Sequence, residues 1–120
     1  MKRGKPILGL TFTLLAAVIV LFAAAPAGAS YELTATWGGY GSEDGQFNFP
    51  QGVDTDSDDN VFVADTGNDR IQKFDSSGTF VTKWGSEGTG DGQFAGPVAI
   101  ATDSHDNVYV ADRYNNRIHG

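Results

Sequence analysis

Apolar and polar residues are distributed along this chain in two unlike ways. Residues 7–25 are almost wholly apolar, broken by Thr11 and Thr13, with Lys2, Arg3 and Lys5 before them and Pro26-Ala27-Gly28-Ala29-Ser30 after. A basic start, an apolar centre and small residues at the end form the layout of a secretory signal, cleaved after Ala29 or, as a second site, after Ala27. The nineteen residues also approach the roughly twenty that span a bilayer, so an uncleaved helical anchor is the alternative for residues 1–29. Either way, residues 30–120 are expected outside the cytoplasm, secreted or anchored facing outward. A membrane is then a partner only through the N-terminal segment.

Beyond residue 30 the apolar residues come in short runs separated by turn-forming clusters. Residues 52–56, 61–64, 70–74 and 80–84 read as strands, the second β-branched and aromatic, the third alternating polar and apolar. Ser57-Asp58-Asp59-Asn60, Asp65-Thr66-Gly67-Asn68 and Asp75-Ser76-Ser77-Gly78 supply the turns between them, with Gly67 expected to take the positive φ of the middle one. Four antiparallel strands are predicted, and the pattern then starts again.

The recurrence has a fixed period. Shifting the sequence by 47 residues aligns Trp37 with Trp84, Phe47 with Phe94, Pro50 with Pro97 and Asp65 with Asp112, and 20 of 37 positions are identical between residues 37–73 and 84–120. A four-stranded unit of about this length is one blade of a propeller. The segment Val61-Phe62-Val63-Ala64-Asp65-Thr66-Gly67-Asn68-Asp69-Arg70-Ile71 and its second copy Val108-Tyr109-Val110-Ala111-Asp112-Arg113-Tyr114-Asn115-Asn116-Arg117-Ile118, each preceded by F-x-x-P, resemble the NHL repeat. The resemblance implies an all-β fold: residues 30–120 as a β-propeller fragment of four-stranded antiparallel blades, with repeats at about 37–83 and 84–120. The resemblance further implies that these are about two blades of a closed ring, usually of six.

Blades bury their faces on one another, so two need company. Residues 31–37 align with residues 78–84 and are expected to form an outer strand, while the second blade has only three strands before Gly120. One reading is that further blades follow in a longer polypeptide. The other is assembly: residues 31–120 fall four short of two periods, so three copies arranged head to tail would give a homotrimeric ring.

Charge narrows the partners. Without the leader, five basic residues face 15 acidic ones, a net charge of −10, which disfavours nucleic acid, bound chiefly through clustered Lys and Arg. With no Cys there is no disulfide framework. Asp65, Arg70, Asp112 and Arg117 match between the copies and read as blade-building residues. Tyr40, Arg113 and Tyr114 lie in loops, differ between the copies, and are residue types that dominate interfaces. They are the candidate contacts for a protein, peptide or glycan ligand, and the expected role is a binding scaffold rather than catalysis. Alternatives are a propeller lyase or hydrolase with catalytic residues in other blades, and a structural repeat of a larger cell-surface protein. Asp54, Asp56 and Asp58 alternate as calcium-loop ligands do. Asp59 stands where such a loop needs Gly and a strand follows, which favours a solvated acidic turn and no cofactor.

Overall fold

The computed structural model describes Gly28 and residues 30–120. The expected leader helix, its cleavage site at Ala29 and its membrane-anchor alternative lie outside the described residues. Contact density divides the chain into Met1–Leu33 and Thr34–Gly120. In the first unit, Ser30 to Leu33 form no helix or strand and are exposed. Among the described residues no helix is long and apolar enough to cross a membrane.

The second unit is all-β. Blade one contains β1 (Pro50–Thr55), β2 (Val61–Asp65), β3 (Arg70–Phe74) and β4 (Phe80–Trp84), paired antiparallel in sequence order. Blade two contains β5 (Pro97–Thr102), β6 (Val108–Asp112) and β7 (Arg117–His119), paired in the same way. The four strands predicted between residues 52 and 84 are found, with β1 starting at Pro50.

The turns are made by side chains that imitate backbone acceptors. Asp56 Oδ1 accepts the N–H groups of Asp58 (3.0 Å) and Asn60 (2.9 Å). Asp103 does the same for His105 and Asn107, and Asp75 for Ser77 and Thr79. One turn departs from expectation. After β2 the chain makes a single 3-10 turn, η1 (Thr66–Asn68), and the left-handed residue is Asp69 (φ 51°), not Gly67. Gly67 is required for closeness instead: a Cβ there would lie 2.7 Å from the Asn48 carbonyl oxygen.

Register assigns each residue to one of two blade faces. Ala64 lies opposite Gly52 and Ile71, and Phe62 opposite Asp54 and Lys73; this is the rear face of blade one. Ile100 opposes Val110 and Thr102 opposes Val108 on the front face of blade two. The core forms where these faces meet, from buried Phe62, Ala64 and Ile71 against Phe94 and Val110, flanked by Ile100 and Val108. Gly52 permits the approach, since a Cβ on it would stand 2.8 Å from Ala99 Cα. Hydrogen bonds tie the seam: Thr102 N–H to Asp54 Oδ2 (2.7 Å), Ser57 N–H to Asp106 Oδ1 (2.9 Å), Gly96 N–H to Asp69 Oδ1 (2.7 Å) and Thr66 Oγ1–H to the Pro97 carbonyl (2.6 Å).

Residues 31–37, expected as an outer strand, form none. Among the described residues they have no third strand beside them to pair with. Trp37 nonetheless packs as its counterpart should, its ring 5.9 Å from that of Phe74 on the front face of blade one.

Candidate functional site

Pro50 pairs with Asp65 at one end of the blade and Thr55 with Val61 at the other. The loops at residues 38–49 and 85–96 and the turns at 65–69 and 112–116 therefore share an end. Buried ion pairs hold them there. Asp65 is fully buried; its Oδ2 accepts from Arg70 Nε (2.7 Å) and Asn68 Nδ2 (2.9 Å), and its Oδ1 from the Asn48 N–H (2.7 Å). That N–H partner lies in the preceding loop and not in the turn that Asp65 begins. The rest of the Arg70 guanidinium donates to the carbonyls of Ser42 (2.8 Å), Glu43 (3.0 Å) and Gln46 (2.9 Å). A planar five-donor fork suits this work, one arm on a carboxylate and the others pinning a loop that would otherwise have unpaired carbonyls.

Asp112 and Arg117 repeat the arrangement. Asp112 accepts from Ala95 N–H (2.7 Å), Asn115 Nδ2 (2.8 Å) and Arg117 Nε (3.3 Å), and Arg117 donates to the carbonyls of Thr89, Gly90 and Gln93. Burial pushes the Asp112 carboxyl up, but the hydrogen bonds from Ala95, Asn115, His119 and Arg117 outweigh it and hold it below the usual carboxylate range. His119 Nε2 lies 3.2 Å from Asp112 Oδ2, where blade one has Gln72.

The candidate contact residues ride on these pinned loops. Tyr40 (84 % exposed) bridges to Phe47 in the first loop, and Asn68 Nδ2 donates to the adjoining Gly41 carbonyl (2.9 Å). Arg113 and Tyr114 touch, the guanidinium 5.1 Å from the ring centre. The Tyr114 ring lies over Gly96, and Gly96 is bonded to Asp69 of the neighbouring turn. The loops thus form one continuous surface, although no direct contact joins Tyr40 to the Arg113–Tyr114 pair.

Phe49 on the same surface was missed by sequence reading. It is 77 % exposed and left-handed at φ 52°, a conformation that is an outlier for a bulky residue. The available signal was its alignment with Gly96, whose φ is 72°.

Asp54, Asp56 and Asp58 lie toward the other end of blade one, and the first two carboxylates have separate partners. Asp54 accepts from Thr102, and Asp56 from Asn60 with Lys73 at 3.7 Å. Among the described residues no three acidic, His or Cys side chains gather as a metal site would require.

Comparison with known proteins agrees with this architecture. The family model described as NHL repeat matches residues 47–74 and 94–120. A 44-residue stretch is 46% identical to Protein brain tumor of Drosophila melanogaster, covering 37% of this chain and 4% of that protein. The chain thus spans only a small part of that relative's length. Two stretches of this chain thus match the NHL repeat, the first lying in the four-stranded sheet and the second in the three-stranded one, both of β-propeller blade type.

Proposed function

We propose that this chain is an exported binding scaffold whose loop face, centred on Tyr40, Phe49, Arg113 and Tyr114, takes a protein or peptide. NHL repeats are typically protein-interaction modules, which supports the class of partner. The observation that carries the choice of face is Phe49. An aromatic ring held in the left-handed region and exposed to water costs stability and returns nothing to the core, and such strain collects at ligand-contact sites. The neighbouring aromatic and Arg side chains supply what interfaces use most, on loops fixed by buried ion pairs so that little ordering is left for binding.

A displayed peptide library selected on the wild-type chain tests this. Selected peptides are expected to lose at least about tenfold in affinity, or roughly 1.4 kcal/mol, on the Tyr40→Ala/Phe49→Ala/Tyr114→Ala variant. Equal binding to both proteins would remove the loop face from consideration. Export rests on the layout of residues 1–29, and N-terminal sequencing of the released product is expected to begin at Ser30.

A further inference from the structure

Asp-Gly occurs twice in the chain, once per copy, as Asp44-Gly45 and Asp91-Gly92. Asp before Gly is open to attack of the backbone nitrogen on the neighbouring carboxyl, since glycine has no Cβ in the way and restricts the backbone least. Each pair sits at the centre of a β-turn, closed by Gln46 N–H to the Glu43 carbonyl (3.0 Å) and by Gln93 N–H to the Gly90 carbonyl (3.1 Å). Gly45 and Gly92 are both left-handed, at φ 82° and 71°. The two pairs thus match in chemistry and local conformation, and differ in restraint.

In blade one the reacting nitrogen is held. Gly45 N–H donates to Gln72 Oε1 (2.9 Å), while Gln72 Nε2 donates to the Gln46 carbonyl (2.6 Å) and to Asp65 Oδ2 (3.2 Å). Gln72 is fully buried, so Gly45 cannot turn toward the Asp44 carboxyl without breaking a clamp built into the sheet. In blade two His119 stands in the place of Gln72. Its Nε2 is engaged with Asp112 Oδ2 (3.2 Å) and its ring lies against Phe94. Gly92 N–H has no hydrogen-bond partner among the described residues. Asp91 and Gly92 are both exposed, and Gly90 before them adds further backbone freedom. Lys83 also meets Asp44 (2.6 Å), but both side chains are about half exposed and such pairs restrain little. The three Asp-Ser pairs are locked differently: Asp56, Asp75 and Asp103 each accept N–H groups two and four residues on.

We propose that Asp91 is the site at which this protein converts spontaneously to isoaspartate, Asp44 being protected by Gln72. The Asp91 carboxyl, after taking up a proton, is attacked at Cγ by the Gly92 nitrogen. A Cγ–N bond forms, and the carboxyl OH leaves as water with the amide proton. Water then adds to the main-chain carbonyl carbon of the succinimide and breaks its bond to the Gly92 nitrogen. The chain now runs through Cγ, one methylene longer, with mass and charge unchanged. The extra methylene falls between Gly90 and Gln93, whose carbonyls Arg117 holds at 2.7 and 2.9 Å. Isomerisation therefore loosens the loop end of blade two. This inference is independent of the ligand proposed for the loop face.

The full chain, incubated folded at neutral pH and sampled over time, is digested and mapped by fragmentation mass spectrometry that separates isoaspartate from aspartate. Isoaspartate is expected to accumulate at Asp91 at least about tenfold faster than at Asp44. In denaturing urea the two rates should come within about threefold of each other. His119→Gln, with circular dichroism unchanged, supplies the missing clamp and should slow Asp91 at least about threefold. Equal rates at the two sites in the folded chain would overturn the proposal. So would a tenfold ratio that persists in urea, which would place the difference in the flanking residues. A folded His119→Gln chain that isomerises at Asp91 as fast as the wild type would do the same. Should that variant fail to fold, the folded and denatured wild type decide alone.

Discussion

The same ion pair occurs twice in this molecule, in two degrees of completion. In blade one, Arg70 reaches Asp65 at 2.7 Å and its side chain is 8% exposed; in blade two, Arg117 reaches Asp112 at 3.3 Å and is 31% exposed. The two carboxylates are equally buried, so the acid is not what differs. The third strand is. Arg70 lies on a strand covered by β4, whereas Arg117 lies on β7, which has no outer partner among the described residues. Gln72 adds a bond from its Nε2 to the Gln46 carbonyl and accepts from the Gly45 N–H; His119, in its place, makes a polar contact with Asp112 and stacks edge-on to Phe94. Identical motif residues are thus tightened or loosened by what lies beside the blade.

This difference can be broken or sharpened by substitution. The largest effect is expected for Asp65→Ala, which strands the buried Arg70 charge and should cost about 3–5 kcal/mol. Asp112→Ala should cost only about 1–2 kcal/mol, because Arg117 retains access to water. Urea unfolding of the two variants gives the ratio. Next come the apolar counterparts. Ile71→Ala empties a filled site and should cost about 3 kcal/mol, whereas Ile118→Ala, measured on dilute single chains, should change stability by less than about 0.5 kcal/mol. Comparable losses at both sites would mean that the rear of blade two is already covered.

A smaller change of opposite sign is expected at Phe49. Phe49→Gly relieves a left-handed aromatic and should raise stability by about 1 kcal/mol, seen as a higher Tm, while weakening ligand binding. The smallest effect is in acid. The Asn107 side chain, followed by the N–H groups of Asn107 and His105, lowers the Asp103 carboxyl from 3.8 to about 2. A depressed folded-state pKa gives stability that is complete above the unfolded value and is lost as pH falls through the folded one. The contribution of the Asp103 turn should therefore fade between 3.8 and about 2. Asp103→Asn should flatten the stability profile over that interval.

Much of this fold was legible in the sequence because each local choice agrees with the next. Asp at the head of each turn, alternation in β3 and β-branched residues in β2 all indicate the same sheet. The period of 47 then supplied the neighbour that a lone blade lacks. Legibility failed where tertiary contact overrides residue type. Gly67 looked like a residue chosen for its backbone freedom, but the Asn48 carbonyl presses on it, and Asp69 adopts the left-handed turn. Residues 31–37 carry the outer-strand pattern, but a strand needs a partner edge. In the candidate site, Tyr40, Arg113 and Tyr114 were found as differences between the copies. Phe49 differs as well, at a variable position of the F-x-x-P motif, but its conformation is invisible in composition.

Asn48, Phe49 and Gly67 in blade one correspond to Ala95, Gly96 and Tyr114 in blade two. Bulk in the loop faces a bare turn in one copy, and a bulky turn faces a bare loop in the other. The pairing constrains how such duplicated units can diverge. A genetic crossover falling between codons 49 and 67 would join a crowded loop to a crowded turn in one product and leave both small in its reciprocal. Exchange outside that interval keeps each matched set whole, so the two halves of the face are inherited together or not at all.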